Sequence, residues 1–398
     1  MKRLIMKSSS LLLAVIAIAI LYSSCAKPDA ANSENLYHDQ LSKDLRNYEI
    51  FTLDQESLLA IAQTKPQTAV KINLNIPSHP DWELTMVDDD LKQYDEPGFQ
   101  AIEIGANDVH TVRQEPERFA LQGNLGNSER NSYLTFSLGK MEGLILDGEV
   151  EYSLQPLTNF IASAPDDIYI IFDGRDEIVE GNVCGNDEVQ TEPQEATRSR
   201  GLKTIYITYL GDYQMYQKFG NYTNCSNWMY WRYYYANKRY NAYNGIDFRL
   251  VRRTMYLYSS SGSANYRPKT TSNRQTFVDE CSAFSGFSWY NIGDVNYFFT
   301  GDNVEGVWGK ADGISRMCSD PSQAFSFGEV ATKTANGTSK TYFGQNLMAH
   351  EVGHTIAAHH DQSSNNWMHK TYTNWNTTCG TNAKNNFWWK NFWGSFCL

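Results

Sequence analysis

Five of the chain's eight histidines fall between Met348 and His369, in the stretch "MAHEVGHTIAAHHDQSSNNWMH". Imidazole is the commonest metal ligand among side chains, so the spacing of these residues is the first thing to test. The apolar residues around His350 and His354 predict a helix, and on a helix positions i and i+4 share one face. Both rings could then reach one ion at about 2 Å. Glu351 follows His350 directly, where its carboxylate could take a proton from a water held by that ion. This H-E-x-x-H arrangement belongs to hydrolytic zinc chemistry, which uses three protein ligands and keeps a fourth position for water. The third ligand must come from beyond the helix. His360, six residues after His354, fills that role, with its neighbour His359 as the competitor. His369 reads as a surface or supporting residue.

Around these residues the second half of the chain alternates strands and helices. "KTIYITYLG", "IDFRLVRRTMYLYS" and "VNYFFTG" read as strands, "NCSNWMYWRYYYANKRYNAY" as a long aromatic helix, and "SNRQTFVDECSAF" as a helix opened by a serine cap. "GQNLMAHEVGHTIAAHH" reads as the helix that carries the histidines. Strands alternating with helices predict a layered sheet with helices packed on it. The first half differs. Residues 26–66 are polar and weakly helical, while residues 68–184 carry short alternating runs such as "AVKINLNI", "SYLTFSL" and "DIYIIFD", separated by Gly, Asn, Asp and Pro. That half is expected to be β-rich.

Charge divides the chain at the same place. Residues 26–200 hold 33 acidic and 13 basic residues, whereas residues 201–398 hold 12 and 18. Trp82 is the only tryptophan before residue 201, and nine follow it. An acidic half beside a basic, aromatic one suits an intramolecular partner that covers the other. The basic residues are scattered, which argues against a nucleic-acid surface. Between the halves, "NDEVQTEPQEATRSRGLKT" has no apolar periodicity and reads as an exposed linker, with Arg198 and Arg200 as cut points. Cleavage there would free the basic half from the acidic one.

The N-terminus predicts export. Lys2, Arg3 and Lys7 precede the run Leu11 to Leu21, which is too short to span a bilayer and has the form of a secretory signal. Small residues before Cys25 mark residues 1–25 as a lipoprotein signal of a bacterial cell envelope, with Cys25 lipidated after cleavage; plain cleavage nearby is the alternative. Without Cys25 six cysteines remain, an even number in an oxidising compartment, and parity favours three disulfides.

The segment "HEVGHTIAAHHD" resembles the metzincin signature H-E-x-x-H-x-x-G-x-x-H, with His360 in the third-ligand place and Asp361 in the manner of the adamalysin (reprolysin) branch. Met368 in "NWMHKTY" lies where the family's Met-turn would support the metal from below. Two features depart from that pattern. The family glycine is Ala357, a change of roughly 1–2 kcal/mol if the backbone there is left-handed. The interval from His360 to Met368 is closer to that of the matrixins. "YITYLGDYQMYQKFGN", "FFTGDNVEGVWGKADGISRMCSD" and "CGTNAKNNFWWKNFWGSFCL" are similar to the family's opening strand and helix, the strand and loop before the active-site helix, and the closing helix with its terminal cysteine.

The resemblance implies an α+β zincin-type catalytic domain over residues 201–398, a twisted mixed sheet with packed helices, preceded by a β-rich prodomain over residues 26–200. It implies one catalytic Zn2+, protein or peptide substrates and a Cys318–Cys397 disulfide; calcium is left open. "GLILDGEVEYSLQPL" and "DIYIIFDGRDEIVEGNVCGND" resemble the adamalysin prodomain. Cys184 is then the candidate zymogen switch, a thiolate placed on the metal. Asp187 is the alternative cap, and Cys379 the cysteine left over. Extended peptides are expected to bind along an edge strand near "SFGEVATKT". The rival function is a surface-anchored glycan- or protein-binding lipoprotein that displays its aromatic residues and holds a structural zinc.

Overall fold

The computed structural model describes residues 37–185, 203–241 and 248–356, apart from 129–130, 149, 180–181, 264–265, 267–270, 314–316, 318–320 and 331–340, together with Ala358, His360 and Met368. Its elements form two eight-stranded sheets and several helices, a mixed α+β architecture.

The first sheet is antiparallel and comes wholly from the acidic half. Its strands are β1 (Glu49–Thr52), β2 (Val70–Asn73), β3 (Glu83–Asp88), β6 (Arg118–Leu125), β7 (Asn131–Ser137), β8 (Lys140–Asp147), β9 (Val150–Pro156) and β10 (Ile168–Asp173), in the order β1-β10-β9-β8-β7-β6-β3-β2. Leu121, Leu134, Ile145 and Leu154 point to one face and join helix α1 (Gln55–Gln63) there through Leu58 and Ala62. The intervening residues Ala120, Tyr133 and Leu144 point to the other, as the twofold alternation of a strand requires.

The second sheet is mixed. It contains β12 (Lys203–Gly211), β13 (Phe248–Tyr258), β14 (Val295–Thr300), β15 (Val307–Ala311) and β16 (Phe325–Glu329). The acidic half adds three strands to it: β4 (Asp95–Ile104), β5 (His110–Arg113) and β11 (Asn182–Cys184). The order is β11-β15-β16-β14-β12-β13-β4-β5, so strands from the first half occupy both edges.

This order corrects one expectation. The strand of "SFGEVATKT", β16, pairs on both sides, parallel to β14 and antiparallel to β15, so it has no free edge. At this end of the sheet the outermost strand from the second half is β15, "VWGKA", whose two small residues hide its strand character.

Helix α2 (Tyr213–Phe219) starts at Asp212, whose carboxylate accepts from Met215 N at 2.7 Å, and stops at left-handed Gly220. Helix α3 (Tyr222–Asn241) is the predicted aromatic helix, and it lies between the two sheets. On one side Asn237 clamps β13, its Oδ1 accepting from Leu250 N at 2.8 Å and its Nδ2 donating to Leu250 O at 3.1 Å. On the other side Trp231 Nε1 donates to Ser137 Oγ of β7 at 2.8 Å, and the hydroxyls of Tyr235 and Thr135 meet at 3.0 Å. Helix α4 (Arg274–Ser282) packs on the opposite face of the second sheet. Its cap is Asn273, whose side chain accepts from Thr276 N at 2.9 Å, rather than the serine before it. Helix α5 (Thr341–Ile356) lies beside α3 and carries His350 and His354.

Candidate functional site

Helix α5 is held at its ends and along its length by other parts of the chain. Near its first turn the buried Glu177 carboxylate accepts from Phe343 N at 2.8 Å, satisfying one of the N–H groups a helix leaves open there. In the middle, the Tyr240 hydroxyl of α3 donates to Ala349 O. At the far end Ala358 N donates to Gly353 O at 2.8 Å, which closes the helix and sends the chain back toward His360.

That return brings His360 to the two helical histidines. His350 Nε2 stands 3.1 Å from His354 Nε2 and 3.2 Å from His360 Nε2. Cys184 Sγ, carried in by β11, lies 3.7 Å from His354 Nε2. The four ligand atoms all fall within 4.8 Å of one another, and all four residues are buried. Zinc bonds of about 2.0 Å to nitrogen and 2.3 Å to sulfur place the atoms of such a tetrahedral set roughly 3.3–3.5 Å apart, and separations of 3.1, 3.2 and 3.7 Å lie close to that. The donor set fits as well. His354 Nδ1 lies 2.7 Å from Ala358 O, and only its N–H tautomer can donate there, which leaves the Nε2 lone pair aimed into the group.

Cys184 reaches the histidines because β11 extends the sheet. It pairs parallel to β15, with Asn182 opposite Val307 and Cys184 opposite Gly309, and Gly185 N donates to Gly309 O at 2.8 Å. Gly309 also faces the buried Glu351. A methyl group there would stand 2.8 Å from Glu351 Oε1 and 2.9 Å from its Cγ, so a side chain at this place on β15 would have to displace the carboxylate. One strand further in, the Tyr297 hydroxyl occupies the space beside Gly328, where a methyl group would lie 1.9 Å from it. Burial first, and then the Glu351 charge, push the Tyr297 phenol well up, which keeps it neutral beside the carboxylate.

Of the residues marked in the sequence, Cys184, His350, His354 and His360 are thus brought together with Glu351 alongside, and Met368 is buried in the adjoining core with Val352 and Ile356. Cys25, Asp187, Arg198, Arg200, Cys318, His359, His369, Cys379 and Cys397 lie outside the described residues. Among the described cysteines, Cys184, Cys225 and Cys281 are thiols rather than disulfide halves, which removes the argument for three bridges. Gly309, Gly328, Tyr297 and Glu177 went unmarked, because only tertiary packing brings them to the helix.

The second sheet also shows how the acidic half answers the basic one. Arg252 of β13 is gripped by Asp95 at 2.7 and 3.0 Å and by Glu115 at 2.9 and 2.8 Å. Lys238 Nζ lies 2.6 Å from Asp89, which also accepts from the Tyr234 hydroxyl at 2.6 Å. Arg232 pairs with Glu142 at 3.3 Å, Arg239 with Glu151, and Arg253 with Glu96 at 2.9 Å. Burial pushes Glu115 up, but the charges of Arg252 and Arg118 outweigh it and hold the carboxyl at about 2.

A family model of the M12 metallopeptidases, Reprolysin_5, matches residues 202–388. A crystal structure of metalloproteinase-II from Bacteroides fragilis is similar over 85% of this chain and 96% of that one, with 11% identical residues and a TM-score of 0.50. At that identity the likeness is one of fold, and its span takes in the acidic half too. A chaperone–substrate complex matches over 45% of this chain and 30% of its own, at 15% identity and a TM-score of 0.33, too low to support an argument. No curated protein matches the chain. The Reprolysin_5 match sets residues 202–388 with the M12 metallopeptidase family. Residues 202–388 belong to its reprolysin-like metzincin branch.

Proposed function

We propose that the protein is a zinc-dependent endopeptidase made as an exported zymogen. The observation that carries this reading is the meeting of His350, His354 and His360 nitrogens around one point, with Glu351 next to His350 on the helix and against Gly309, the residue opposite Cys184. These three histidines would hold the ion, and Cys184 would hold its fourth position in the uncut chain. Bound there, zinc supplies Lewis-acid polarisation of a peptide carbonyl and acidifies a water. Glu351 takes the proton of the attacking water and passes it to the leaving amine. Gly309 leaves room for that carboxylate, and Ala358 O keeps His354 in its ligating tautomer. Met368 supports the site from beneath and does not touch substrate. A protein or peptide substrate would lie along β15 in place of β11.

The leader and Cys25 support export as a lipoprotein of a bacterial envelope, with activation by a cut near Arg198 or Arg200. A set closed by a fourth protein ligand is also what a structural zinc site has, and that favours the binding-lipoprotein reading. Against it, Tyr230, Trp231, Tyr233, Tyr234 and Tyr235 of α3 are buried and have no surface to present.

The test compares the full chain, cut in residues 186–202, with the same chain carrying Glu351→Ala, on casein and with zinc measured in both. The expected result is equal zinc and a fall in cleavage of roughly 10²–10⁴-fold. Full zinc with no cleavage by either protein, across several substrates, would turn the reading to the binding lipoprotein.

A further inference from the structure

The acidic half meets the basic half in two places that differ in depth, and the difference bears on what happens after the chain is cut. At one edge of the second sheet, β4 runs parallel to β13 from Arg252 opposite Asp95 to Tyr258 opposite Ile104, and β5 continues the sheet beyond it. Below this ladder one apolar core is built from both halves, with Tyr94, Ala120, Tyr133 and Leu144 against Tyr230, Tyr234 and Met255. The buried Arg232, Lys238, Arg239 and Arg252 all take their carboxylates from the acidic half. Glu177, from the same half, sits on the first turn of α5. At the other edge, among the described residues, the acidic half adds the three-residue β11 and the Gly185 N–H that follows it.

We propose that the acidic half stays bound after cleavage, so that the mature protein is a two-chain assembly and only the segment ending in Cys184 leaves its place. This rests on the zymogen reading above, and it revises the expectation that cleavage frees the catalytic half. The partner that fits the aromatic and cationic face of α3 is the acidic half itself. Stripping it away would expose a continuous apolar face from α3 to β13, far larger than soluble proteins leave open to water. Buried ion pairs are little screened by salt, so the grip does not depend on low ionic strength.

The chain between β11 and β12 has slack for this. Four strand spacings of about 4.8 Å separate these strands, about 19 Å in all, whereas the 17 residues from 186 to 202 can reach roughly 56 Å. A cut within them leaves every described strand of both sheets whole.

The experiment cuts the full chain once, with a sequence-specific protease at a site placed between residues 190 and 197. The product is run through size exclusion at about 0.15 M and about 1 M NaCl. Both fragments are followed on gels, and casein cleavage is measured across the fractions. The expected result is that the fragments elute together at the uncut chain's volume in both salts, with the activity in that peak. Elution of the second half apart from the first, or activity only where the first half is missing, would overturn the proposal. Fragments that elute together with no cleavage in any fraction would support the two-chain assembly while counting against the peptidase reading.

Discussion

At the β13 edge the acidic half contributes the long β4 and the short β5, a shared core and carboxylates for buried cations; at the β15 edge, among the described residues, it contributes β11 with Gly185 and one sulfur atom near three histidines. The first contact resembles the inside of a domain, and its strength comes from area and charge pairing that no single atom controls. The second is local and chemical, and it is the one that stands over the histidines. A fold built this way separates what stabilises the molecule from what covers its site.

Changes at the two edges should therefore differ in kind. The largest effect on stability is expected from Arg252→Ala, which leaves Asp95 without its cation and Glu115 with Arg118 alone. Removing one partner of a buried pair costs about 3–5 kcal/mol, to be read from urea unfolding of the uncut chain. A loss below about 1 kcal/mol would mean that the β13 edge is held by packing alone.

Acid sharpens the same point. Glu115 is held at about 2, well below its ordinary 4.5. A carboxyl lowered by folding gives its full stabilisation above the unfolded value, and that contribution disappears as pH falls through the folded one. Unfolding free energy should thus decline between about pH 4.5 and about pH 2, and Arg252→Ala should flatten the decline over that window.

A smaller loss, about 1 kcal/mol, is expected for Glu177→Ala, which removes the acceptor at Phe343 N and opens the first turn of α5. Hydrogen exchange at Phe343 should speed up accordingly. The smallest change in stability belongs to Cys184→Ala, within about 1 kcal/mol of the unchanged chain, since one sulfur at a short edge strand is lost. In casein cleavage by the uncut chain the order reverses, and Cys184→Ala should raise activity while Arg252→Ala should not. Equal activity of the uncut chain with and without Cys184 would remove this residue from the latency mechanism.

The sequence made some of this legible and concealed the rest for physical reasons. His350, Glu351 and His354 could be placed because helical spacing is a local property, and Lys203–Gly211 could be read as a strand from its own alternation. The opposite charge of the halves was visible, but not that Arg252 meets Asp95 and Glu115, because strand pairing between distant segments leaves no local trace. β15 was passed over as a loop and β16 taken for the edge, because "VWGKA" and "SFGEV" each hold one valine, one aromatic residue and one glycine, and only pairing tells the inner strand from the outer. Each strand carries a glycine whose setting is tertiary, Gly309 against Glu351 and Gly328 against the Tyr297 hydroxyl. The run of tyrosines in α3 was recognised as a helix, but its burial on both sides follows from the sheet that covers it.

The position of β4 has one more consequence. Without the acidic half, β13 would become an outer strand of eleven residues, "FRLVRRTMYLY", with a row of unpaired N–H and C=O groups and aromatic side chains. Such a strand is a template for sticking to other copies of itself. Residues 201–398 made alone should accumulate as insoluble aggregate, and supplying residues 26–200 as a separate chain should return them to solution.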